Sequence, residues 1–166
     1  MLVVAALAAA LMTGCGSPSV ASKNEAAPPV SERQALAVLN QLTAAAPGKN
    51  GHSFCEKLSY QVESCEKIWK EAAADCLKPA GEPHVRRSAA VRNTRESDGG
   101  RVLEVEGKTA SGQRYVSEVF VTAADGTPKA SVGVYWSGSG LGDSPLGGDN
   151  KVIPKPECGD TEGAAS

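Results

Sequence analysis

The spacing of apolar residues divides the chain into four regions. An unbroken apolar run covers 2–12, and a polar stretch rich in Ser, Ala and Pro covers 16–29. Helical periodicity then extends to about residue 77, and a period of two replaces it from there to residue 136. The last stretch, 137–166, is mostly Gly, Ser, Pro and Asp. The pattern predicts helices followed by strands, with low-complexity segments at both ends.

Three helices are predicted in the first half of the chain. Ser31 and Gln34 have capping-box spacing at the start of the first helix, and Ser53 and Glu56 repeat that spacing at the start of a short second helix. A third helix is predicted over 61–77, where apolar and cysteine side chains recur with helical spacing. These recurring residues are Cys65, Ile68, Trp69, Ala72 and Cys76.

Four antiparallel strands are predicted after the helices. Residues of alternating polarity fall in four runs, which cover about 84–91, 103–108, 113–122 and 129–136. Short turns rich in glycine join these runs, at 97–100, 111–112 and 125–126. Helices followed by a short-looped antiparallel meander predict an α+β fold, in which the helices pack against one face of the sheet.

The apolar run ends in a small-residue motif that precedes the first cysteine, Leu11-Met12-Thr13-Gly14-Cys15. The run is shorter than the ~20 residues of a membrane-spanning helix, and the motif resembles the lipobox of bacterial lipoproteins. That resemblance implies a signal peptide over 1–14, acylation of Cys15, and a flexible tether over 15–30 on the outer face of the cell membrane. Met12 stands where lipoboxes usually have Leu, and no Lys or Arg precedes the run. An ordinary secretory signal and a buried helix are the alternatives.

The order of elements over 31–136 resembles a known family. Three N-terminal helices, of which the second carries Phe54-Cys55-x-x-Leu58-Ser59, followed by four long strands are similar to nuclear-transport-factor-like (cystatin-like) domains of small actinobacterial lipoproteins. The resemblance implies a curved four-stranded sheet that forms a cone with the helices. The composition of the flanking ends, which include the tail over 137–166, favours disorder, whereas a disulfide through Cys158 would hold the tail against the domain. Another α+β sandwich would fit the same pattern.

Four cysteines remain if Cys15 carries lipid, and an even number in an exported chain predicts two disulfides. On one continuous helix Cys65 and Cys76 would be about 16 Å apart, beyond the ~7 Å limit for a disulfide. We favour the pairs Cys55–Cys65 and Cys76–Cys158. The pairs Cys55–Cys76 and Cys65–Cys158 also fit the sequence.

Charge and motif content exclude several classes of protein. The 17 Lys and Arg and 19 Asp and Glu give a net charge of -2 and are interspersed, so no basic surface for nucleic acid is predicted. His52 and His84 are isolated and no close Cys-x-x-Cys pair exists, so neither a metal site nor a cofactor is predicted. No G-x-S-x-G elbow or phosphate-binding glycine motif is present. The sequence therefore gives no catalytic residue.

The candidate pocket residues are Trp69, Arg87, Tyr115 and Trp136. The aromatic residues fit either a ligand pocket or a packed core, and Arg87 either enters the apolar concavity of the sheet or lies in water at its end. We expect a membrane-anchored, non-enzymatic domain that binds an envelope protein or a small apolar ligand. A small-pocket isomerase or cyclase is the alternative, and an accessory lipoprotein without a ligand is a third hypothesis.

Overall fold

The computed structural model describes residues 30–46, 48, 50–94, 98–147 and 150–158. Cys15, the apolar run before it and nearly all of the predicted tether lie outside these residues. Within the described ranges, no helix is long and apolar enough to cross a membrane.

The helices are α1 (Glu32–Ala45), α2 (Gly51–Leu58) and α3 (Val62–Ala74). The capping box of α1 is confirmed, because the hydroxyl of Ser31 accepts from the amide of Gln34 and the side chain of Gln34 accepts from the amide of Ser31. The cap predicted for the second helix is wrong. Asn50 caps α2 instead, since its Oδ1 accepts from the Ser53 amide at 3.0 Å and the helix begins two residues before Ser53.

The strands are β1 (Pro79–Val91), β2 (Gly100–Thr109), β3 (Arg114–Thr122) and β4 (Lys129–Ala130), in the spatial order β1-β2-β3-β4. All neighbouring pairs are antiparallel, so the predicted α+β class and the four-stranded antiparallel meander are confirmed.

The fourth strand is shorter than predicted. Its alternating pattern continues to Trp136, but β4 ends at Ala130, and the amide of Ser131 makes one more hydrogen bond to β3, to the carbonyl of Phe120 at 2.7 Å. The carbonyls of Ala130 and Ser131 accept from the amides of Tyr60 and Gln61, in the link between α2 and α3. After Ser131 the chain turns away from the sheet edge and returns to it at Ser139, whose carbonyl accepts from the amide of Glu118, so the alternation after Ala130 does not produce a longer strand.

Helices and sheet enclose one apolar core. Its helical members include Leu39, Leu42 and Phe54, and its sheet members include Leu103 and Val119. These sheet residues belong to one face, because antiparallel partners such as Leu103 and Val119 point to the same side of the sheet. The opposite face carries Glu104, Glu106 and Lys108 of β2 and is the outer face.

The C-terminal stretch packs along the free edge of β3. Val116 and Val152 exchange two backbone hydrogen bonds of 3.1 Å, and the amide of Glu118 donates to the carbonyl of Ser139 at 2.9 Å. The composition of 137–166 predicts disorder, whereas 137–147 and 150–158 supply partners for an edge that the short β4 leaves uncovered. The expected disorder is therefore wrong for these residues.

Two disulfides link the elements, and they are the favoured pairs. Cys55–Cys65 joins α2 to α3 with a Cα–Cα distance of 5.7 Å. Cys76–Cys158 joins the end of the helical region to the C-terminal stretch with a Cα–Cα distance of 5.3 Å. The prediction of disulfide bonding is confirmed.

Candidate functional site

Three of the four candidate pocket residues meet between the helices and the sheet. The Trp69 and Trp136 rings lie 5.3 Å apart between centroids, and Phe54 lies 4.8 Å from Trp69. Tyr135 extends this cluster from Trp136, at 5.1 Å, to Tyr115, at 6.2 Å. Tyr115, Tyr135 and Trp136 are buried, and the ring of Tyr135 packs against the rings of the other two. These three residues are therefore part of the core.

Tyr135 and Trp136 are adjacent in sequence and both are buried. In a strand they would point to opposite faces, which would leave one of them outside the core. Residues 135–137 instead form a turn, so both rings reach the same interior. Burial raises the pKa of Tyr135 to about 12, and the nearby carboxylate of Glu82 adds to the shift.

Arg87 lies apart from the aromatic cluster. The register of β1 shifts between Val85 and Arg87, so that Val85 faces the core while Arg87 pairs with Glu104 on the outer face. Its guanidinium binds both carboxylate oxygens of Glu104, with one distance of 3.2 Å from Nε. The hypothesis that Arg87 enters the apolar concavity is therefore wrong, because the bulge at Arg86 reverses the side on which it points.

Two buried carboxylates face each other across β2 and β3. Glu104 is 1% exposed and binds Arg86 and Arg87, whereas its β3 neighbour Glu118 is 8% exposed. Glu118 accepts from the Leu141 amide at 3.0 Å and from the Ser144 hydroxyl at 2.5 Å. Each carboxylate thus has its own donors, and Glu118 fixes the loop after Trp136 to the sheet.

A groove of about 510 Å³ lies between α1 and α2. Its apolar lining is formed by Ala44 and Ala45 from α1 and by Phe54 and Leu58 from α2, and Phe54 is also part of the buried core. Exposed polar side chains surround this lining; they are those of Gln41, Asn50 and Lys57. The volume and the mixed lining are typical of sites for small ligands.

Sequence reasoning missed this groove. Ala44, Ala45 and Leu58 fit ordinary positions of amphipathic helices, and the groove forms only when α1 and α2 come together in the fold. The short apolar side chains of Ala44 and Ala45 beside the capping residue Asn50 are the only sequence signal, and that signal is weak.

A second cavity, of about 350 Å³, lies on the other side of α2 and is lined by Gly51, His52, Glu66, Trp69 and Lys70. Nδ1 of His52 lies 2.5 Å from Oε1 of Glu66. This hydrogen bond raises the pKa of His52, and the charge of Glu66 adds to the shift. The imidazole remains 70% exposed, so water reaches it freely.

In the described ranges, no three His, Cys, Asp or Glu side chains are placed to hold a metal ion. His84 lies exposed on β1 opposite Glu106. Glu104 and Glu118 are neighbours across β2 and β3, and each carboxylate binds side-chain donors of the protein itself.

Comparison of the chain with models of protein families, with curated proteins and with solved structures finds no match. The residues and their geometry are therefore the basis on which a function is assigned.

Proposed function

We propose that this chain is a lipid-anchored, extracytoplasmic domain that binds a small apolar ligand and has no enzymatic activity. The groove between α1 and α2 is the observation that carries the proposal. It is the largest of the cavities described above, and its apolar lining is surrounded by polar side chains. A protein interior normally closes such a space, since apolar surface left in water costs about 25 cal/mol per Å².

The lining favours a ligand with an apolar body and a polar or acidic end. Ala44, Ala45, Phe54 and Leu58 offer contacts to hydrocarbon, and the Lys57 ammonium offers an ion pair at the same groove. The described residues that line the groove include no carboxylate and no histidine. This composition supports binding rather than catalysis.

Location is supported by the covalent features of the chain. Disulfides such as Cys55–Cys65 and Cys76–Cys158 persist in oxidising compartments. The apolar run that ends in Gly14-Cys15 supplies a cleavage and acylation signal, and several acyl chains such as palmitate would hold the protein on the outer face of the cell membrane. An intact mass of the membrane-extracted protein tests the anchor, because an unacylated Cys15 excludes it.

Ala44→Phe tests the groove. The added ring occupies the apolar wall, so we expect Kd for dodecanoate, measured by displacement of 1-anilinonaphthalene-8-sulfonate, to rise roughly tenfold, which corresponds to about 1.4 kcal/mol. Ala74→Phe on α3 is the matched control, because Ala74 is exposed and does not line the groove. Equal affinity of the two variants would mean that the ligand does not occupy the groove.

We propose further that the fold is the curved cone of nuclear-transport-factor-like domains. Three helices before a meander of three long strands and a bulge in β1 support it, since a bulge bends a strand. The two-residue β4 is the main departure. A crystal structure that shows a flat sheet would exclude the cone.

A further inference from the structure

We propose that the disulfide Cys76–Cys158 is a thiol-exchange site, which accepts two electrons from a dithiol and thereby releases the C-terminal segment 155–158. This activity is independent of the apolar groove, because neither cysteine lines it.

The two disulfides differ in their access to solvent. Cys55 and Cys65 are both 0% exposed, inside the core between α2 and α3. Cys76 and Cys158 are both exposed. Thiol–disulfide exchange requires a thiolate to reach one sulfur of the bond, so access decides which disulfide reacts in the folded protein. Only the outer of these two disulfides offers that access.

Helix α3 presents Cys76 to solvent through its C-terminal cap. The amide of Cys76 donates to the carbonyl of Ala73 at 3.1 Å, and the amide of Leu77 donates to the carbonyl of Ala72 at 2.8 Å. This is the Schellman arrangement, and Cys76 occupies its left-handed position with φ 58°, where glycine is the usual residue. The backbone arrangement of this cap therefore places Cys76 at the surface.

The position of Cys76 also determines which sulfur is attacked. The C-terminal end of a helix disfavours negative charge, so a departing thiolate is less stable on Cys76 than on Cys158. An incoming thiolate therefore bonds to Sγ of Cys76, the Cys76–Cys158 bond breaks, and Cys158 leaves as the thiolate and takes up a proton. The second thiol of the reagent then attacks the mixed disulfide, which leaves Cys76 as a thiol and the reagent as its own disulfide.

Few contacts besides the disulfide hold residues 155–158, which follow the buried Pro154. The side-chain amide of Gln113 exchanges two hydrogen bonds with Lys155, at 2.9 and 3.1 Å. Glu157 donates its amide to the carbonyl of Asp75 at 2.7 Å and accepts from the Ser111 hydroxyl at 2.5 Å. Exposed polar contacts of this kind exchange readily with water, so the segment depends on the covalent bond.

Release does not extend to Val152. Its two backbone hydrogen bonds to Val116 continue the sheet, and its carbonyl packs close to Gly138, which is anchored to Ser117. Glu118 separately holds the loop that contains Leu141 and Ser144. Reduction therefore exposes Gln113 and the two thiols while the sheet edge at Val116 stays paired.

The test treats the folded protein with increasing dithiothreitol, traps thiols with N-ethylmaleimide and maps the labelled cysteines by mass spectrometry. We expect Cys76 and Cys158 to be labelled at a reductant concentration roughly tenfold or more below that for Cys55 and Cys65. Labelling of all four together would overturn the proposal. With the monothiol 2-mercaptoethanol, the adduct should lie on Cys76, and an adduct on Cys158 would contradict the assigned leaving group.

Hydrogen exchange tests the release. After selective reduction we expect faster exchange at the amides of Lys155 and Glu157 and unchanged exchange at Val116 and Val152. The variant Cys158→Ser should give the same result without reductant. Unchanged exchange at Lys155 and Glu157 would show that the bond does not hold the segment and would overturn that part of the proposal.

Discussion

At the scale of single residues, His52 shows how one hydrogen bond on the surface changes a titration. Glu66 lies one helix away, and its carboxylate stabilises the protonated imidazole by hydrogen bonding and by charge. A pKa raised in the folded state means that the pair stabilises the fold below the ordinary pKa near 6.5, and that this stabilisation is lost as the pH rises through the raised value.

We therefore expect the NMR titration of the His52 ring to give a pKa above 6.5, and Glu66→Gln to lower it toward that value. The destabilisation caused by Glu66→Gln should be present in weakly acidic solution and absent above the raised pKa. Glu63→Gln on the same helix is the control, because Glu63 is exposed and does not contribute to this shift. If Glu66→Gln left the pKa of His52 unchanged, the hydrogen bond between His52 and Glu66 would be refuted.

The residue scale also shows where sequence reasoning stops. The alternation of β2 correctly places Leu103 and Val105 on the core side and Glu104 on the other. It predicts a solvated Glu104, whereas Glu104 is buried under Arg86 and Arg87. A register shift in β1 brings both arginines to Glu104. Because this shift arises from the pairing of β1 with β2, the sequence of either strand alone does not predict it.

At the scale of elements, β2 and β3 fit together through a glycine and a tyrosine. Gly107 is the partner of Tyr115, and a Cβ built on Gly107 would lie 2.2 Å from the Tyr115 Oη. The ring of Tyr115 thus lies over the space that a side chain at 107 would take. The same burial raises the pKa of the Tyr115 phenol, whose oxygen has no hydrogen-bond partner among the described residues.

Gly107→Ala should lower the free energy of unfolding by about 2 kcal/mol, because the buried ring has little room to move. Gly142→Ala is the matched control, since nothing lies within 4 Å of its added Cβ, and we expect a change within about 0.5 kcal/mol. Urea denaturation measures both values. If Gly107→Ala were as stable as the control, Tyr115 would not occupy the position described.

Local signals predicted most elements, and long-range contacts account for the errors. Ser31 caps α1 as its sequence indicates, because the cap involves only residues three positions apart. The chain after Ala130 turns into the core instead of extending β4, and there Trp136 packs against Phe54, about eighty positions away in the chain. The groove depends likewise on how α1 and α2 pack in the folded chain, and no periodicity within either helix encodes that arrangement.

At the scale of the whole molecule, the two disulfides constrain the unfolded chain to different degrees. Cys55–Cys65 closes a separation of 10 residues, and Cys76–Cys158 closes one of 82. The entropy of loop closure predicts about 3 kcal/mol of stabilisation for the short loop and about 4 to 5 kcal/mol for the long one. The exposed bond should therefore contribute more to stability than the buried one.

Replacing Cys76 and Cys158 by Ala should thus lower the free energy of unfolding more than replacing Cys55 and Cys65 by Ala. Urea denaturation of the two double variants, with the unmodified protein as reference, gives the comparison. The reverse order would mean that packing around the buried sulfurs outweighs the entropy of the long loop.

The long disulfide also makes a covalent ring out of residues 76–158, and this ring contains the entire sheet, from Pro79 to Ala130. A protease that cuts one peptide bond inside the ring, for example at the exposed turn around Gly126, produces a nick but not two separate molecules. Both sides of the cut stay attached through Cys76–Cys158, so a chain cut once can keep its strands in register. Two cuts, or one cut after reduction, are needed to divide it.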